Sequence, residues 1–263
     1  VPVAWVFLAS VKQNKEFYGN PWTLPEKLYF QNFVDAWTKA DMGSYILNSV
    51  IVTALAIAML IAVALPAAYV LSRFKFRTCK FWNLLFMAGL FINVSYIVVP
   101  IFLMLNNWDK SLRQMIGRGF FLNNLFILAV VYMATALPFT IYLLSGYFSG
   151  LAKDFEEAAY VDGIKNRAQE IIYITVPSMK PQMLFGAVMS IVNAFNMGWI
   201  GVTLAGANPT PDYAGQLIAN HIDDYAYVRY EMGYASAVSV ALLCLVWICS
   251  KVANKLFTEK DEY

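Results

Sequence analysis

Residues 154–163, Asp-Phe-Glu-Glu-Ala-Ala-Tyr-Val-Asp-Gly, make a polar, helix-like segment with acids and no base, and their spacing suits contact better than catalysis. Asp154 can cap a short helix, with Glu157 three positions on in a capping-box arrangement. Phe155, Ala158, Ala159 and Asp162 recur at helical spacing, and Gly163 suits the left-handed position that ends a helix. Two adjacent alanines leave a shallow face that a groove can approach closely. An amphipathic stretch, 164–176, follows until Pro177 and Pro181 bend the chain. Taken bare, this is a solvated helical hairpin, either a connector or a docking element.

Other chemistry is sparse. The sequence contains no Walker A glycine loop, His-Glu-x-x-His helix or Gly-x-Ser-x-Gly elbow. His221, the only histidine, is expected to be an ordinary loop residue near Asp223 and Asp224. Cys79, Cys244 and Cys249 make no metal-ligand pattern and are expected to be small membrane-buried side chains. The chain is therefore not expected to be an enzyme by itself, and no metal site is assigned. The net charge of +2 gives no sign of nucleic-acid binding.

The elements that must position the acidic segment follow from where charge is missing. The chain is 60% hydrophobic and 14% charged, with mean hydropathy +0.55. All Asp, Glu, Lys and Arg residues avoid five windows, 42–72, 81–108, 119–152, 181–211 and 232–250. About 20 apolar residues cross a bilayer core, and a charge at a helix centre costs about 2.5–3.5 kcal/mol on insertion scales. The windows therefore predict membrane spans at about 45–72, 81–106, 121–149, 182–206 and 233–254. Residues 1–11 read as the outer end of a further span whose beginning is missing here. The expected architecture is an all-α polytopic membrane protein: one six-span helical bundle over 1–263, its first span truncated, with loop 150–180 between spans four and five.

Arg73, Lys75, Arg77 and Lys80 make a tight basic turn without an acid, a cytoplasmic marker. Alternation then puts 12–41, 109–118 and 212–231 outside, and 153–180 and the tail from 251 inside. Lys and Arg number 11 inside against 8 outside, with Lys110, Arg113 and Arg118 arguing the other way. Residues 12–41 read as an interfacial loop. Gly146 and Gly150 offer a face of small residues at the inner end of span four, suited to close helix packing or to a hinge. Ionisable residues are missing from the windows, where ion-coupled carriers keep their coupling groups. Energy for transport would then come from outside the chain.

Glu157-Ala158-Ala159, three residues, Gly163, and then Ile174-x-Val176-Pro177 resemble the signature loop of permease subunits in binding-protein-dependent ABC importers. Asp162 before the glycine and the loop's place before the penultimate span agree. The truncated first span ending near Lys12, Asn48-Ser49 opening span two and Ala67-Ala68-Tyr69 near its inner end are similar to the smaller maltose-type permease. Ten residues separate Gly163 from Ile174, one more than the family's usual spacing, and Val176 stands for leucine. Gly233-Tyr234-Ala235-Ser236-Ala237 resembles the other permease of such pairs.

The resemblance implies a multi-pass subunit of the bacterial cytoplasmic (inner) membrane, paired with a second permease, an ATPase dimer and an extracytoplasmic solute-binding protein. It implies that 154–163 is a coupling helix docked on the ATPase. Glu157 would make a polar or ionic contact there, Ala158 and Ala159 a close-packed face, Phe155 an apolar contact and Gly163 the turn, with Asp154 and Asp162 alongside. ATP and Mg would be bound by the ATPase, leaving no cofactor in this chain. A sugar or oligosaccharide is the implied cargo. Asn193, Asn196 and Trp199, with Ser190, recur at offsets of three in span five and are candidate path residues, as is Asn93 beside Ser95; helix–helix hydrogen bonding is the competing reading. The tyrosine-rich loop from Leu204 to Glu231 would contact a binding protein or anchor at the lipid headgroups. A polyol or glycerol phosphate permease, and a stand-alone carrier or channel, are the alternatives.

Overall fold

The computed structural model describes residues 2–39, 42–122, 124–150, 166, 169, 173, 176–206 and 216–257. Among these the regular elements are all helical. The N-terminal region holds α1 (Pro2–Ser10), α2 (Asn14–Gly19) and α3 (Gln31–Lys39). The stretch expected as a loop thus carries two short helices, and Lys12 organises it. Its side chain is fully buried, and Nζ donates to Asn20 O at 3.1 Å and Thr23 Oγ1 at 3.2 Å. Asn32 Nδ2 donates to the carbonyls of Ser10 and Lys12 at 2.9 and 2.8 Å. Charge counting treats Lys12 as water-facing; one local carbonyl and a hydroxyl take over that solvation.

Among the described residues three helices are each long and apolar enough to cross a membrane: α4 (Met42–Arg73), α7 (Leu125–Gly150) and, at the C-terminal end, the helix Met232–Phe257. The first has 32 residues, about 48 Å at 1.5 Å per residue, so it overshoots a hydrocarbon core of about 30 Å. Only 28–39% of each span's most apolar window is buried within the chain, so most of their surface is left for lipid or other subunits.

The remaining two expected spans are broken. α5 (Cys79–Gly89) and α6 (Val94–Ile116) meet at 102°, whereas the uncharged window predicts one continuous helix. The cause is local. Leu90, Phe91 and Ile92 donate to Met87, Ala88 and Gly89 carbonyls three residues back, a tightening turn that ends α5. Gly89 packs so closely on Pro138 that an added Cβ would lie 3.0 Å from the proline ring. Asn93 then sits immediately before α6, the position of an N-cap.

The fifth expected span divides into α8 (Lys180–Asn196) and α9 (Gly198–Ala205), bent by 53° at Met197. Gly206 closes α9 in the left-handed region at φ 73°, its N–H bonded to Val202 O at 2.9 Å. α10 (Ile218–Asp223), a π-helical turn (Asp224–Val228) and α11 (Met232–Phe257) complete the order. With each bent pair taken as one crossing, the candidate spans number five among the described residues.

The chain divides into two compact units. The first comprises Val1–Leu55, Ser95–Val130 and Val192–Cys249; the second comprises Ala56–Val94, Val131–Ile191 and Ser250–Tyr263. Helices α4, α7, α8 and α11 thread through both. The first unit holds every segment assigned to the outside, and the second holds the basic turn, loop 150–180 and the tail. Alternating spans produce that sorting. The second unit's core joins Leu60, Ala64, Ala68 and Tyr69 of α4 to Ile141, Leu144 and Phe148 of α7 and to Met179 and Met183.

Candidate functional site

Asp154, Phe155, Glu157, Ala158, Ala159, Asp162 and Gly163 lie outside the described residues. The structure does show what holds the two ends of their loop. At its start, Phe148 is almost fully buried and meets the Tyr69 ring edge-on, with centroids 5.5 Å apart. At its end, Met179 is fully buried in the same core. Between them Tyr147 Oη donates to Ser178 O at 2.7 Å, bridging 31 positions of sequence. Both ends are therefore fixed to one packed core that includes α4, α7 and the start of α8. Within the loop, Asn166 Oδ1 accepts the Gln169 N–H at 2.9 Å, the geometry of a helix cap.

Tyr69 and Ala68, noted in the sequence for their spacing, earn their place in this core. Ala68 is fully buried, and its carbonyl accepts Ser72 Oγ at 2.6 Å; that hydroxyl also donates to Ser145 O at 3.2 Å, tying α4 to α7. Gly146 and Gly150 behave otherwise than a packing face would. A Cβ on either would meet nothing within 4 Å, so among the described residues no helix approaches them closely.

The candidate path residues separate. Asn193 and Asn196 lie on an exposed face of α8, whereas Ala194 and Phe195 between them are buried. Phe195 therefore does not share their face. Trp199 follows the bend at Met197 and is half-buried. An amide left in hydrocarbon without a partner costs several kcal/mol, so the Asn193–Asn196 face calls for polar cover from water, solute or another subunit. Ser190 lines a small enclosed space of about 20 Å³ with Thr140 and Gln182, large enough for one water, and Gln182 Oε1 is buried without a partner. Asn93 belongs to the second unit, at the α5–α6 break.

The first unit contains a polar cluster that sequence reasoning missed. His221 is buried, its Nε2 2.9 Å from Tyr234 Oη and its ring 4.5 Å from Tyr225 and 5.0 Å from Tyr45. Burial pushes the imidazole down to about 4; Asp224 opposes that shift and Arg229 adds to it. Burial also raises the Asp223 carboxyl above its usual range. Arg229 holds Asp224 at 2.8 Å and lies 4.3 Å over the Tyr225 ring. The expectation of an ordinary loop histidine is therefore corrected: its partners are Tyr225 in the next turn, Tyr234 of α11 13 positions on, and Tyr45 of α4, remote in sequence. Ser49 supports the same segment by accepting the Ile218 N–H at 3.2 Å. Of the loop's tyrosines, Tyr227 and Tyr230 stay exposed. Gly233 backs against Lys12 O and Asn32 Nδ2, which an added Cβ would meet at 2.7 and 2.8 Å. Among the described residues no group of His, Cys, Asp or Glu is placed to hold a metal.

Residues 60–257 match the family described as binding-protein-dependent transport system inner membrane component. The chain is 33% identical over 204 residues to a diacetylchitobiose uptake system permease protein, NgcG, of Streptomyces coelicolor, covering 78% of this chain and 64% of that protein. It is 24% identical over 253 residues to a trehalose/maltose transport system permease protein, MalG, of Thermococcus litoralis, covering 93% and 82%. In fold it is similar to a bacterial ABC transporter involved in import of the acidic polysaccharide alginate, with TM-score 0.72, 21% identity, and 98% and 90% of the chains covered. The bent spans and the anchored loop thus sit in a multi-pass inner-membrane protein, and the chain belongs to the family of binding-protein-dependent transport system inner membrane components.

Proposed function

We propose that this chain is one of two permease subunits of an ATP-driven importer for a sugar or oligosaccharide, and that residues 154–163 form the helix through which a cytoplasmic ATPase moves it. The observation that carries this reading is the anchorage of both loop ends in one core. Tyr147, Phe148, Ser178 and Met179 tie the loop to α4, α7 and α8. A push on such a loop displaces packed helices rather than a slack connector, because packed interiors transmit strain. ATP and Mg bind to the ATPase. A solute-binding protein delivers cargo on the other side, where Tyr227 and Tyr230 are exposed.

Sugar is favoured by the relatives' described substrates and by the exposed amides Asn193 and Asn196, with no ionised group in the charge-free windows to pair with an ion. A stand-alone carrier lacks a power source in these spans. The test is co-purification and uptake with Glu157→Lys and Gly163→Leu. Both variants are expected to reach the membrane, to lose the ATPase on purification or uncouple its hydrolysis, and to lose uptake. Normal uptake by Gly163→Leu, or solute movement by the purified chain alone, would overturn the proposal.

A further inference from the structure

The turn between α4 and α5 concentrates charge beside an open cavity. Arg73, Lys75, Arg77 and Lys80 fall within eight residues that contain no acid. The turn is drawn tight: Phe74 N–H donates to Val70 O at 3.1 Å, Cys79 N–H to Phe76 O at 3.0 Å, and the Cys79 thiol to Leu71 O at 3.2 Å. Lys75, Arg77 and Lys80 are exposed, and among the described residues none of the three has a hydrogen-bond or ion-pair partner.

A cavity of about 460 Å³ opens next to this turn, lined by Ser72, Asn83, Ile141, Ser145, Gly146 and Ser149 among others. Ser72 runs directly into Arg73, and Asn83 lies one helical turn beyond Lys80, so the basic turn flanks the mouth. Among the described residues, Ser145 Oγ is buried without a hydrogen-bond partner and Gly146 leaves its side open. Around the turn Phe74, Phe76, Phe81 and Trp82 are 38–60% exposed, as aromatics are at the headgroup level of a bilayer.

We infer that this is a binding site for an anionic phospholipid of the cytoplasmic leaflet. The phosphate lies against Lys75, Arg77 and Lys80, the glycerol backbone meets Ser72 and Asn83 in the cavity, and Phe81 and Trp82 flank the acyl chains. Three cations without a fixed counter-charge among the described residues attract anionic lipid, which is enriched on the cytoplasmic side of the membrane. A free phosphate would leave the apolar wall and the aromatics unused, and a partner helix would leave the cations unneutralised unless it brought acids of its own.

The test uses the assembled transporter in nanodiscs of phosphatidylcholine with graded phosphatidylglycerol, counting retained lipids by native mass spectrometry. The wild type is expected to retain phosphatidylglycerol selectively. The combined variant K75Q/R77Q/K80Q should weaken that retention at least about tenfold. Gly146→Leu, which fills the cavity and keeps every charge, should also weaken it; Asn83→Leu on the other wall serves if Gly146→Leu does not accumulate. Equal retention of the two lipids by the wild type would overturn the inference. So would unchanged retention in the cavity variants, displacement by inorganic phosphate alone, or loss of the second permease in place of lipid.

Discussion

Asp109 offers a sharp test of how the outer turn after α6 is built. The carboxylate is 1% exposed; Oδ1 accepts the N–H groups of Phe120 and Phe121 at 2.8 Å each, and Arg113 Nε donates to Oδ2 at 2.7 Å. The Leu122 N–H is a longer third donor at 3.4 Å. Asp109→Ala removes the acceptor for two well-formed backbone bonds, and each buried donor left unpaired costs about 1–3 kcal/mol. Water reaches this turn, since Phe120 is 49% exposed, so the lower end applies and the expected loss is about 2 kcal/mol. The Arg113 side chain is 61% exposed, so the ion pair itself adds little. Asp109→Asn, which keeps a carbonyl oxygen in place, should therefore recover most of the loss. Hydrogen exchange followed over a peptide covering 117–125 reads this directly: about 2 kcal/mol corresponds to roughly thirtyfold faster exchange in Asp109→Ala, by RT arithmetic on local opening. Equal protection in wild type and Asp109→Ala, or an Asp109→Asn as exposed as the alanine variant, would refute the argument that backbone donors hold the turn.

Other outcomes follow from the same geometry. Tyr147→Phe removes the hydroxyl bound to Ser178 O, a contribution of about 1 kcal/mol, and should lower solute moved per ATP hydrolysed in proteoliposomes while leaving assembly intact; unchanged stoichiometry would show that the tie is not used. His221 is held neutral, with its folded pKa about 4 against 6.5 unfolded, so its contribution is complete above about pH 6.5 and is lost as pH falls toward 4. Melting in detergent should therefore drop between pH 7 and pH 5, and His221→Gln should flatten that drop; parallel curves would count against it. Gly198→Ala gains about 1 kcal/mol of helix propensity, but its Cβ would overlap the Asn220 amide and lie 2.7 Å from Ala219 Cβ. Overpacking at about 1–3 kcal/mol wins, so the variant should melt lower than wild type; a higher melting temperature would show that α10 yields.

Much of the architecture was legible in charge placement, because excluding ions from hydrocarbon is a strong and local rule. Windows 42–72, 119–152 and 232–250 each became one long helix for that reason. The breaks at Leu90–Asn93 and Met197 were not legible. Hydropathy is blind to helix direction, and both bends depend on close approaches, Gly89 to Pro138 and Gly198 to Asn220, between residues distant in sequence. The candidate path residues show the same division. Spacing puts Asn193 and Asn196 on one face, but only packing reveals that this face is uncovered and that Phe195 turns away from it.

The sequence by itself determined that this chain spans a membrane several times, and which acidic–alanine segment breaks the pattern. Each follows from the free energy of placing single residues in oil or water, which needs no knowledge of neighbours. The tertiary structure decided that loop 150–180 is anchored at both ends, that His221 is enclosed by Tyr45, Tyr225 and Tyr234, and that Lys12 is buried against a carbonyl and a hydroxyl. The widest of those pairs, Tyr45 and His221, is brought together across 176 residues, a relation that no local transfer energy encodes.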